Sequence, residues 1–185
     1  EIIMKLIKMG LLIALSAMLT ACGGIAAYMD TSDEKLKGQG VTLSETVKTK
    51  DLYGAWMFST DDKDPDDIML IFAFYTDHTG LAYGLDVNRK TKAEHMSAEY
   101  FTWKLDETNK ELHSVIFKQV DRKGDKRTEK TVNERDTHKV GLYRLDNQKF
   151  AITLDNKSQR MIFFRMPNET YNDFIKLRPD LPKLK

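Results

Sequence analysis

The 185-residue chain carries 29 basic and 28 acidic side chains, for a formal net charge of +1, and one cysteine. This balance gives no basic face of the kind a nucleic-acid binder needs, and a single thiol excludes any disulfide within the chain. Aromatic residues at 10% and abundant β-branched residues give material for one cored domain plus tails.

Taken in chain order, Met4 is the first plausible initiator, so Glu1–Ile3 read as an upstream start assigned in error. Lys5 and Lys8 form a short positive region, Met9–Leu19 is almost unbroken apolar, and small residues lead to Cys22. This is the layout of a secretory signal peptide. The apolar run falls short of the roughly 20 residues that span a bilayer. Leu19-Thr20-Ala21-Cys22 resembles the lipobox of bacterial lipoproteins. The resemblance implies that residues 1–21 are removed, that Cys22 and the new N-terminus are acylated, and that acyl chains anchor the protein in the cell envelope. Each buried CH₂ contributes about 0.8 kcal/mol, so more than one chain holds firmly. Lipoproteins retained at the inner membrane carry Asp after the cysteine, whereas Gly23 and Gly24 follow here. An outer membrane is therefore favoured if the host has one.

The cleaved segment holds Lys5, Lys8 and Glu1, so 29 basic residues less two and 28 acidic residues less one leave 27 of each in the mature chain. Residues 22–50, with "KGQG" at Lys37–Gly40, lack sustained periodicity and are expected to form a tether. A short helix is expected around Leu43–Lys48. A flexible chain of that length spans about 30 Å.

From residue 51 to 166 the pattern changes to short apolar runs separated by turns. Expected strands are Tyr53–Thr60, Ile68–Tyr75, Leu81–Val87, Ala98–Leu105, Glu111–Asp121, His138–Leu145, Lys149–Asp155 and Gln159–Met166. Phe101, Trp103 and Leu105 alternate with polar neighbours, as do Phe150, Ile152 and Leu154, which marks half-buried strands. "TDHTG", "DETNK", "DNQ" and "DNKSQ" supply the turns. Joints this short favour antiparallel pairing. The fold class expected is all-β: eight antiparallel strands in an up-and-down barrel, which closes to remove its edges. Arg122–Thr137 reads either as a loop or as an extension of the hairpin turning at Lys123–Asp125. The run Ile68–Phe74 lacks alternation, so both of its faces need cover. Residues 167–185 read as a helix and tail, with Asn168 as N-cap, Tyr171, Phe174 and Ile175 on one face, and Pro179 as the stop.

"LYGAW" at Leu52–Trp56 contains a G-x-W that resembles the opening of the first strand in lipocalins and bacterial lipocalin-like domains. "LIFAFYTDHTG" resembles a hairpin of the same group, and Trp103 stands where such domains carry a mid-barrel Trp. The resemblance covers about Leu52–Met166, without the longer lipocalin motifs of the middle loops. It implies that Trp56 plugs one barrel end beneath a basic residue of the last strand, Arg165 first and Arg160 second.

Other chemistry is thinly represented. Asp62, Asp64 and Asp66 have calcium-loop spacing, but Asp67 and Ala73 stand where an EF-hand needs Gly and Glu. His78, His95, His113 and His138 are scattered without helical zinc spacing, so no metal and no cofactor is expected. No nucleophile motif occurs, and no enzyme is expected. The basic residues of Arg122–Lys130 are interleaved with acids and read as a solvated ribbon or a partner-docking protrusion.

Two functions fit. One is a lipid-anchored envelope carrier of a small apolar or amphipathic ligand, with Phe58, Phe72, Phe101, Trp103, Phe150 and Ile152 facing the ligand and Ala73, Ala82 or Gly84 leaving room. The other is a solid barrel that docks an envelope protein. Both attach to the membrane through N-terminal acyl chains and neither involves nucleic acid.

Overall fold

The computed structural model describes residues 40–59, 66–156 and 160–176. Among these residues nine strands and two helices follow in order: β1 Val41–Leu43, α1 Thr49–Leu52, β2 Gly54–Ser59, β3 Asp66–Phe74, β4 Thr79–Asn88, β5 Glu94–Asp106, β6 Glu111–Lys123, β7 Lys126–Leu145, β8 Gln148–Asp155, β9 Arg160–Met166 and α2 Asn168–Lys176. All strand pairs are antiparallel. Strands β2 to β9 follow one another around a closed ring, which β2 and β9 complete through Ala55↔Met166, Trp56↔Arg165 and Met57↔Phe164. This is the expected eight-stranded up-and-down barrel with a short C-terminal helix.

The turns follow from residue chemistry. Gly124-Asp125 joins β6 to β7, with Gly124 at φ +59 supplying the left-handed position a two-residue hairpin requires. Asp146 and Asn147, at φ +48 and +63, make the equivalent turn between β7 and β8. Arg122–Thr137 therefore belongs to the long β6–β7 hairpin and is not a loop. Pairing with β8 begins only at Lys139, so β7 runs on well past β8.

Alternation sorts the side chains into layers. Ile68, Leu70, Phe72 and Phe74 of β3 point into the barrel, while Ile71 and Ala73 point outward with Leu81 and Tyr83 of β4. Helix α2 covers that outer stripe with Tyr171, Phe174 and Ile175, and the Tyr171 and Tyr75 hydroxyls meet at 2.7 Å. Both faces of the uninterrupted run Ile68–Phe74 are buried for this reason. Pro179, the expected stop, lies outside the described residues.

The N-terminal boundary differs from expectation. Residues 41–50, expected as tether, are part of the fold. β1 pairs with β7 through Val41↔Leu145 and Leu43↔Tyr143, on the edge that β6 leaves free beyond Glu111. Val47 and Leu52 enter the interior core. The helix falls at Thr49–Leu52, after the expected Leu43–Lys48. Asp51 holds it: one oxygen accepts from the Lys48 amide at 2.9 Å, the other from Arg144 Nη2 at 3.1 Å. Lys149 Nζ donates to the carbonyls of Lys50, Asp51 and Tyr53, capping the helix C-terminus with positive charge. The segment thus closes the barrel end that carries the 75–78, 107–110 and 146–147 turns.

Candidate functional site

At the closed end, Trp56 is fully buried and donates Nε1–H to the Leu52 carbonyl at 2.9 Å. The Arg165 guanidinium lies over the Trp56 ring, 5.4 Å from its centroid. Arg165 also donates Nη1–H to the Ala55 carbonyl at 2.7 Å and Nη2–H to Asn168 Oδ1 at 2.9 Å. Burial holds its pKa below the ordinary arginine value. Arg160 is elsewhere, donating to the Tyr143 hydroxyl at 2.7 Å. Gly54 completes the G-x-W: it sits at φ +116, and a Cβ there would come within 2.1–2.4 Å of the guanidinium. Only glycine combines that backbone angle with that approach.

Above this plug the interior is packed with rings. Phe72 lies 4.9 Å from Phe163 and 6.3 Å from Phe101, and Phe74 lies 5.9 Å from Phe101 and 5.3 Å from Trp103, centroid to centroid. Phe72, Phe101, Trp103 and Ile152 join one buried cluster, with Phe58 packed at its margin. Trp103 is near the closed end: it contacts Tyr53 and His78 and donates Nε1–H to the Thr79 carbonyl at 2.9 Å.

Phe150 does not join them. The β7–β8 register slips between Tyr143↔Ala151 and Arg144↔Lys149, leaving Phe150 as an extra residue in a bulge. It packs on the outside, against Phe164 at 5.6 Å. Of the small residues expected to leave room, Ala82 is inside and Ala73 lies under α2. Gly84 faces inward, where a Cβ would sit 2.8 Å from Ser97 Oγ and 3.4 Å from Leu70 Cδ2.

Along β5 the same inward face continues past Phe101 to Glu99, a residue that the sequence reading passed over. Glu99 and Gln119 are register partners, 7% and 8% exposed, and Gln119 Nε2 donates to Glu99 Oε1 at 2.9 Å. The other oxygens, Glu99 Oε2 and Gln119 Oε1, have no hydrogen-bond partner among the described residues. Burial pushes the Glu99 carboxyl up to about 7, against the lowering effect of the Gln119 bond, and the charges of Glu134 and Asp136 on β7 add to the rise. His138, two residues beyond Asp136, is buried with Nε2 3.6 Å from Asp136 Oδ2. Burial lowers its pKa, and Asp136 opposes the change.

The other histidines are dispersed. His95 Nε2 lies 2.6 Å from Asp121 Oδ1, and His113 Nδ1 lies 3.1 Å from Thr137 Oγ1. Among the described residues no set of three His, Cys, Asp or Glu side chains could hold a metal ion, and no helix is long and apolar enough to cross a membrane. Asp67 of the acidic stretch pairs with Arg89, while Cys22 and residues 61–65 lie outside the described residues. Comparisons with protein families, curated proteins and solved structures found no match.

Proposed function

We propose that this chain is a lipid-anchored lipoprotein of the bacterial cell envelope, held through Cys22, whose lipocalin-like barrel binds a small amphipathic ligand. We read it as a binding protein and not an enzyme, at the outer membrane where the host has one. The observation that carries the ligand reading is the division of the interior. Aromatic rings fill the end closed by Trp56, whereas farther along β5 and β6 the inward face buries Glu99 and Gln119. A barrel of about eight strands has room for side chains or one small ligand. Burying polar groups without partners costs about 1–3 kcal/mol each, a cost a ligand can offset.

Native mass spectrometry of residues 23–185, purified without detergent, tests this reading. A reproducible added mass that organic extraction removes supports a carrier. A clean mass that persists after incubation with envelope lipids overturns it.

An edge of β7 without a strand partner among the described residues supports a second reading, in which the β6–β7 hairpin docks an envelope protein. Residues 126–138 of β7 precede the β8 pairing and extend beyond it, and their outward residues are exposed. Such an edge is a template for an added strand.

A further inference from the structure

We propose that the inward face around Glu99 and Gln119 receives the ammonium head of an amphipathic amine, a deepening that rests on the carrier reading. Three observations converge. Within this pair the atoms without partners among the described residues, Glu99 Oε2 and Gln119 Oε1, are both acceptors once Glu99 is ionised, and each belongs to a residue more than nine-tenths buried. What they call for is a donor. An anionic or purely accepting head group would leave both unsatisfied and bring charge against a carboxylate.

The sign of the surroundings is the second observation. The charges acting on Glu99 are those of Glu134 and Asp136, two more carboxylates, both of which oppose its ionisation. Alternation places both on the face of β7 that includes Val132 and His138, and both are half-buried. A cation seated at Glu99 meets favourable charge from all three, and three ammonium protons can serve both free acceptors. Gln119 already donates one amide hydrogen to Glu99 Oε1, which holds the two side chains together.

The third observation concerns which cation. Among the described residues no set of three His, Cys, Asp or Glu side chains converges here, so an organic cation fits the site better than a metal ion. One step along β5 stands Phe101, register partner of Ile116, and both belong to the apolar interior. A ligand whose head bonds Glu99 therefore has apolar surface beside its tail. Guanidinium and quaternary ammonium heads fit less well: the first is planar and large, and the second has no N–H for the free acceptors.

The test uses the full chain in phosphatidylcholine nanodiscs, titrated calorimetrically with hexylamine, hexanol and hexanoate at pH 7.5, with empty nanodiscs as the blank. The expected result is at least tenfold tighter binding of hexylamine than of hexanol or hexanoate. In Glu99→Gln the amine-over-alcohol ratio falls to near one. Glu134→Gln, at a half-exposed position, lowers the ratio severalfold and guards against misfolding of the buried variant. Equal affinities for all three probes, or a preference that survives in both variants, overturn the amine assignment while leaving the carrier reading in place. Binding of none of the three overturns both.

Discussion

Trp56 and Arg165 face each other across the seam that closes the barrel: they are register partners on β2 and β9, and the guanidinium rests 5.4 Å from the indole ring. Gly54 makes the approach possible, because any Cβ would occupy the space the guanidinium fills. Gly54→Ala is expected to lower stability by about 2–4 kcal/mol, from left-handed strain plus displacement of Arg165. Urea denaturation measures the loss. Arg165→Ala alone is expected to cost about 1–3 kcal/mol through the lost ring contact and hydrogen bonds. In the double variant the losses should fall short of additive, because the displaced group is already gone. Full additivity would mean that the clash is not the cause.

Helix α2 is a lid on the outer surface of β3 and β4. Ile175 is 2% exposed and Tyr171 fully buried. Ile175→Ala is expected to cost about 2–4 kcal/mol. Removing the helix from residue 168 onward should expose Ile71, Leu81 and Tyr83 as one apolar stripe. Aggregation of the truncated chain, followed by light scattering, checks this expectation.

Stability should depend on pH through Glu99. Folded Glu99 keeps its proton up to about pH 7, whereas the unfolded side chain releases it near 4.5. Its contribution is therefore complete below the unfolded value and lost as pH rises through 7, by roughly 3 kcal/mol. His138 has a depressed folded value and acts in the opposite sense: its contribution is present above the ordinary histidine pKa and lost as pH falls. Urea midpoints at pH 5.5 and 8.5 should show a decline for the wild type that Glu99→Gln lacks. A variant with the same decline would place the buried proton elsewhere.

Replacing Cys22 with Ser should abolish acylation and move the protein from the membrane to the soluble fraction after cell breakage. Intact-mass analysis and fractionation read both effects. Membrane attachment that persists without acyl chains would sink the lipoprotein reading.

If the hairpin docks a partner, replacing Lys123–Lys130 by a two-residue turn should leave circular dichroism and thermal unfolding within a few degrees of the wild type while removing pull-down of envelope proteins. In the described structure this tip pairs only within its own hairpin and with β5. Collapse of the barrel on trimming would show that the tip is structural.

The alternation of Phe101, Trp103 and Leu105 made β5 readable, and the turn residues around Asp146 and Asn147 made the meander readable. Extending the alternation by one more step would have reached Glu99, whose buried position is implied by its parity with Phe101. Phe150 could not be placed this way, because a bulge inverts parity and leaves no local trace in composition. β1 was hidden for a different reason. Three residues carry no period, and their partners lie about a hundred positions away in sequence. Arg165 was readable as the partner of Trp56 only through the family resemblance, since no local pattern separates it from Arg160.

Every pairing around the ring except β2–β9 joins neighbours in sequence, so hairpins can form one after another at little entropic cost. The ring can shut only when Trp56 finds Arg165, more than a hundred residues away. If that closure follows the barrier, its contacts govern how fast the barrel reopens. The G-x-W corner is then a latch: weakening it should leave the refolding rate almost unchanged and shorten the lifetime of the closed barrel.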